Sequence, residues 1–190
     1  MFKLRFKTGS EWTDAVLADF DRFLLDHASA EKKASGMAVS MISHYPDRPE
    51  LVSQMAEVAV EEMVHFREVL KLILERGLVP VADTKDEYVN SLRKEIRKGT
   101  DVYMMDRLIL GSVIEARGHE RFGLVADALP PGRMKRFYQS ITRSEDRHQF
   151  VFLDLALKYL PEDEVLERLD YLLDREAAII SEQAIAAALH

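Results

Sequence analysis

Glu61-Glu62-Met63-Val64-His65 and Ser144-Glu145-Asp146-Arg147-His148 each place a Glu three residues ahead of a His. Around the first stretch, Leu51, Met55, Val58, Val69, Leu72 and Ile73 recur at helical intervals, the spacing of one buried face. Residues three apart on a helix share a face, so each Glu-x-x-His pair aims two ligand atoms at one spot. One pair alone is weak evidence, because 18 Glu and 6 His in 190 residues give roughly 0.6 pairs by chance. Two are present.

The surroundings turn the pairs into a repeat. Glu31 lies 31 residues before Glu62, and Glu115 lies 30 before Glu145. Glu31 to Glu115 is 84 residues, while Glu62 to Glu145 and His65 to His148 are each 83. The chain therefore contains Glu followed by Glu-x-x-His, twice, and each half predicts a helical hairpin.

The helix signals outside the repeat agree. Ser10 caps a helix from Glu11-Trp12 to about Ser43, and a second runs from Pro49 to Gly77. A shorter one follows Asp83-Thr84 and stops at Gly99. A fourth starts after Thr100 and ends before Pro130-Pro131, a fifth runs on to Tyr159, and a last spans about Glu162 to Leu189. Residues 1–9 alternate like a strand or an extended arm. Six helices and no strand pair predict an all-α chain, with long helices joined by short loops as in a bundle. One domain is expected over 1–190: an arm at 1–9, a metal-binding bundle at 11–160 and a C-terminal helix at 162–189.

Composition limits the chemistry. With no cysteine, there is no disulfide framework, no thiolate zinc site and no cysteine nucleophile. Any metal must be held by His, Asp or Glu. Glu31, Glu62, His65, Glu115, Glu145 and His148 form the ligand pattern of ferritin-like dinuclear carboxylate bundles, giving a ferritin-like four-helix bundle with two additional helices. Four carboxylates offset the charge of two divalent ions, and oxygen-rich ligands with two imidazoles suit iron or manganese. The bland alternative is six ordinary surface or salt-bridged residues.

Other residues near the pattern invite weaker readings. His27 and His119 lie four residues from Glu31 and Glu115 and suit supporting or surface roles, the six-ligand set being already full. Glu61 reads as a solvent or salt-bridge residue. Asp26 and Asp146 are of the type that orients a ligating imidazole. The tyrosines read as packing residues.

Charge points away from wholesale nucleic-acid binding, since 33 acidic and 26 basic residues give a net charge of −7. Local basic clusters nevertheless occur at Arg93, Lys94, Arg97 and Lys98, at Arg133, Lys135 and Arg136, and at Lys3, Arg5 and Lys7. They suit a solvated face or a grip on phosphates. No stretch approaches 18 apolar residues and the N-terminus lacks an apolar signal region, so no membrane partner and a cytoplasmic location are expected.

Four segments carry a family resemblance: Leu-Leu-Asp-His-Ala-Ser-Ala-Glu-Lys-Lys-Ala (24–34), Glu-Glu-Met-Val-His-Phe (61–66), Ile-Glu-Ala-Arg-Gly-His-Glu-Arg-Phe (114–122) and Ser-Glu-Asp-Arg-His (144–148). From about Glu11 to Leu160 the chain resembles the tRNA 2-methylthio-N-isopentenyladenosine hydroxylases, a branch of the ferritin-like superfamily. The resemblance implies a non-haem di-iron monooxygenase that hydroxylates the isopentenyl group of the modified adenosine next to the anticodon. It implies two Fe ions on the six ligands named above, O2 as co-substrate, prenylated tRNA as partner, and an external electron donor such as a reductase or electron-transfer protein. It also implies that the basic clusters lie near the mouth of the site. The competing readings are a ferritin-like di-iron or di-manganese protein acting on a small molecule or peroxide, an iron-handling protein, and a metal-free helical module.

Overall fold

The computed structural model describes residues 2–190. Met1, the first residue of the expected 1–9 arm, lies outside the described residues. Seven helices and no strand occur among the described residues: α1 (Ser10–Ala18), α2 (Phe20–His44), α3 (Pro49–Glu75), α4 (Glu87–Arg93), α5 (Thr100–Ala128), α6 (Arg133–Tyr159) and α7 (Glu162–Glu182). The chain forms two compact units. Of the described residues, one contains 14–84 and 186–189, the other 2–13, 85–185 and 190.

The structure differs from the expected six helices at three places. The first long helix is broken at Asp19, whose backbone leaves the helical region (φ −134°, ψ 63°) and whose carboxylate accepts a bond from the Arg22 N–H. An Asp side chain that captures an orphan amide starts a new helix there. The third helix is only seven residues long, because Asp86 caps its start and the backbone turns away after Arg93. The last helix ends at Glu182 rather than Leu189. The remaining tail gives up helix to bury the Ala187 and Leu189 side chains, a tertiary override of local propensity.

In the first unit, α2 and α3 form an antiparallel hairpin. Its cross-links fall in reverse order along the two helices: Arg76 with Asp21, His65 with Glu31, and the Ser35 hydroxyl on the Ala59 carbonyl. Met41, Leu51, Met55 and Val58 supply its apolar positions near the turn. At the far end of α3, Gly77 has a positive φ of 74°, and the Leu78 and Gly77 amides close onto the Ile73 and Leu74 carbonyls. This is the glycine-dependent Schellman stop.

In the second unit, α5 and α6 are also antiparallel. Ser112 donates to the Gln149 carbonyl, Glu115 faces His148, and His119 meets the Thr142 carbonyl. From Met104 to Gly118 only Arg107 and Ile114 of α5 are not buried. A helix enclosed on nearly every side reads as continuously apolar, with its polar residues committed to partners.

Asp106 is one such residue. Its buried carboxylate accepts from the Arg97 backbone (2.8 Å), the Arg97 guanidinium and the Arg168 guanidinium. Burial raises the carboxyl pKa, but the Arg97 and Arg168 bonds outweigh it and hold the group below its usual value. A depressed folded-state pKa confers stability above the unfolded value and loses it as pH falls. Stability of the protein is therefore expected to decline below about pH 4. Asp106→Asn should be less stable by roughly 3 kcal/mol at pH 7 and show a flatter decline in acid denaturation followed by circular dichroism.

Glycines on the two hairpins make opposite predictions. A Cβ at Gly111 would meet the Phe152 ring at 2.9 Å, whereas one at Gly36 meets nothing within 4 Å. Helix propensity favours Ala over Gly by about 1 kcal/mol, but overpacking costs about 1–3 kcal/mol. Gly36→Ala should raise the unfolding midpoint and Gly111→Ala should lower it. Urea titration of the two variants checks both signs.

Candidate metal centre

The helical spacing does what the sequence requires of it within each unit. In the first unit, α2 presents Glu31 and α3 presents Glu62 and His65. Glu31 and Glu62 are buried, and His65 is largely so. The His65 Nδ1 lies 3.3 Å from Glu62 Oε2 and 3.6 Å from Glu31 Oε2. One ligand atom from each of the three lies within 4.8 Å of the others. Donors on opposite sides of a divalent ion are about 4–5 Å apart, twice a metal–oxygen bond, so this triad is the right size for one.

Electrostatics in this triad favours positive charge. Burial pushes the His65 imidazolium towards deprotonation, yet hydrogen bonds and charge from Glu31 and Glu62 raise its pKa to about 10. Burial likewise opposes ionisation of Glu31. The bond and charge of His27, then the bonds of His65 and Glu62, overcome it and hold that carboxyl well below its usual range. A divalent cation meets the same negative field.

In the second unit, α5 presents Glu115 and α6 presents Glu145 and His148, all buried. The His148 Nδ1 lies 3.8 Å from Glu115 Oε2, and these three residues also offer ligand atoms within 4.8 Å of one another. The α5 backbone makes room for Glu145 at Gly118, where an added Cβ would lie 3.5 Å from the carboxylate Oε2. Both triads fit a metal ion by donor type, spacing and burial.

The neighbouring residues divide: His27 lies against Glu31 as a supporting residue would, whereas Asp26 and Asp146 are held elsewhere. His27 is fully buried with its Nε2 2.5 Å from Glu31 Oε1, so the four-residue spacing is its signal. His119 is part-buried and donates to the Thr142 carbonyl through Nδ1. Asp26 does not orient an imidazole, since its carboxylate accepts the Leu189 N–H at 2.7 Å. Asp146 accepts instead from the Gln149 amide at 2.8 Å. In each case an amide donor holds the carboxylate.

A sequence model of the family described as "tRNA-(MS[2]IO[6]A)-hydroxylase (MiaE)" matches residues 2–190. The chain belongs to this family. Among MiaE-family relatives, a Pseudomonas putida protein named tRNA 2-(methylsulfanyl)-N(6)-isopentenyladenosine(37) hydroxylase is 34% identical over 173 residues, covering 91% of this chain and 84% of the relative. A Salmonella typhimurium protein of the same name is 34% identical over 131 residues, 69% of this chain. The match spans about half of that longer relative, 48% of its length. A solved structure, "Protein 43 with aldehyde deformylating oxygenase activity from Synechococcus", superposes with a TM-score of 0.94 at 31% identity, covering 100% of this chain and 96% of that one. The ferritin-like, all-α architecture expected from the ligand repeat stands. No helix among the described residues is long and apolar enough to cross a membrane.

One buried polar group escaped the sequence reading. Arg117 is fully buried and donates to Glu176 through Nε (2.8 Å) and Nη2 (3.0 Å), to the Phe6 carbonyl, and to Glu120. Tyr88 adds its hydroxyl to Glu176 at 3.1 Å. Arg121, above the Trp12 ring, has its pKa lowered to about 10 by burial and then by the Arg117 charge. Glu176 is one of many acids on α7 and carries no spacing signal that would single it out.

Proposed function

We propose that this protein is an oxygen-dependent tRNA hydroxylase acting on the isopentenyl group of 2-methylthio-N-isopentenyladenosine next to the anticodon. In this reading Glu31, Glu62, His65, Glu115, Glu145 and His148 jointly hold two iron ions. The 11–160 bundle then works as part of one domain. The observation that carries the reading is the family match over residues 2–190, and the two buried triads supply its chemistry. Iron, when bound, supplies dioxygen activation for insertion of one oxygen atom into a C–H bond of the prenyl tail.

The chain's own residues hold the metals and exclude water. Four carboxylates balance the metal charge. His27 fixes the Glu31 carboxylate through its ring nitrogen, as supporting hydrogen bonds do at metal sites. Phe23, whose ring lies 6.1 Å from that of His27, and Phe122, which with Glu145 flanks Gly118, are buried and keep the surroundings of the site dry. An external reductase or electron-transfer protein returns the electrons, and the cytoplasm is the compartment where tRNA is met.

The test is chemical. The iron-loaded protein is reduced and exposed to oxygen with prenylated tRNA, and the digested nucleosides are weighed. Gain of one oxygen atom on the prenylated adenosine is the expected result. Because the Synechococcus neighbour is named for an aldehyde oxygenase activity, an aldehyde is the comparison substrate. Turnover of the aldehyde with none of the tRNA overturns the proposal.

A further inference from the structure

We infer that the solvent face of α6 is the docking surface for the RNA backbone, with Arg136 and Arg143 as its central contacts and Arg133 and Arg147 at its two ends. The inference rests on the tRNA reading above. All four arginines are exposed. At 100° per residue they fall within a stripe about 80° wide that also holds Ser140. Between Arg133 and Arg147 no acidic residue occupies that stripe, and its first acid, the exposed Asp154, lies about two turns beyond Arg147. From Arg133 to Arg147 it runs about 21 Å at 1.5 Å per residue, long enough to meet several successive phosphates.

In each of the other basic clusters at least one cation is held internally, whereas Arg93, Lys94 and Lys98 beside α4 stay exposed and form the rival surface. Arg97 is held by Asp106, with Glu95 two residues away bonded to Tyr171 and Arg175. Arg5, on the arm, pairs with Asp170 and Asp174. Lys135 donates to the Asp127 and Leu129 carbonyls at the end of α5. Arg136 and Arg143 have no ion-pair partner among the described residues, and unlike the exposed cations beside α4 they share one helical stripe with two further arginines.

Helix physics gives no reason to put cations there. The first turn of α6 contains no acidic residue and its cap, Gly132, makes no side-chain bond. Arg133 and Arg136 therefore sit at the positive end of the helix dipole, where cations are disfavoured. The first turn of α7 follows the ordinary rule with Glu162, Asp163 and Glu164. A phosphate backbone over α6 would meet both the arginines and the favourable end of the dipole.

The net charge does not oppose this assignment, because it is segregated. Helix α7 contains eight acidic and two basic residues, a charge of −6 within a total of −7. Residues 133–147 contain five basic and two acidic residues, a charge of +3. The stripe also ends on the turn that bears Glu145 and His148. Arg147 points to solvent between those two buried residues, so RNA gripped along α6 lies at the helix that carries two of the proposed ligands.

The experiment compares binding of an unmodified anticodon stem-loop RNA to the iron-loaded wild type, to Arg136→Glu/Arg143→Glu, and to Arg93→Glu/Lys94→Glu on the rival α4 surface. Binding is measured from low to moderate salt. The α6 variant should bind about ten-fold more weakly or worse at 0.1 M salt, with its salt slope reduced by about 2. The α4 variant should stay near wild type. Iron content and melting temperature confirm folding, and Arg136→Gln/Arg143→Gln replaces the reversal if that variant fails to fold. Wild-type affinity and slope in the α6 variant, or an equal loss in the α4 variant, overturns the assignment while wild-type oxygenation of prenylated tRNA leaves the enzyme reading intact. A wild type that neither binds the RNA nor oxygenates the tRNA sinks both.

Discussion

His148→Ala is expected to drop bound iron from two per chain to about one or fewer and to abolish oxygen incorporation, with helical content unchanged. The side chain is buried beside Glu115 and supplies one of only two imidazoles in the six-residue set. Nothing adjacent replaces it, because Gln149 already bonds Asp146. The loss should exceed the roughly 10–100-fold cost of removing a residue that merely supports a ligand. His27→Ala provides that smaller comparison. Metal analysis by mass spectrometry, paired with the nucleoside assay, reads both. Full iron occupancy and full activity in the His148 variant would remove it from the ligand set.

The second large effect concerns Arg117 and Glu176. Burial lowers the guanidinium pKa, but its bonds to Glu176 and the charges of Glu176 and Glu120 raise it above the ordinary value. Both side chains are fully buried. Breaking such a pair leaves one charge desolvated, at a cost of about 3–5 kcal/mol. Glu176→Ala should therefore lower the melting temperature by on the order of 10 °C. It also strips the Tyr88 hydroxyl of its acceptor. Replacing both charges, Arg117→Met with Glu176→Met, should be much less damaging than the sum of the single changes, since no buried ion is then left alone. Strict additivity in thermal unfolding would show that the two residues do not act as a pair.

These two sites mark how far the sequence carries. The two buried Glu/His triads were legible because Glu-x-x-His puts both side chains on one helix face and because the chain repeats that spacing. The hairpins were legible because apolar periodicity and proline and glycine stops are local signals. The break at Asp19 was not, since its cap looks like any Asp inside an otherwise helical run. The end of α7 was missed because burial of Ala187 and Leu189, a tertiary gain, outweighed helix propensity. Arg117 lay hidden in the segment 114–122, where nothing local distinguishes an arginine that faces Glu176 from one that faces water. The arginines at 143 and 147 were visible in principle. They join Arg133 and Arg136 only when the helical period, rather than sequence adjacency, defines a cluster.

The division of the chain also sets an order of assembly. The α2–α3 hairpin closes through links no more than about 55 residues apart, Arg76 to Asp21 being the longest named. A ribosome that has released residue 84 has already delivered nearly all of that unit. The other unit waits much longer. Arg117 ties Phe6 to Glu176, and Arg5 reaches across 165 residues to Asp170. The first residues made are thus among the last to find their partners, and half the proposed ligands fold early while the rest complete only near the end of synthesis.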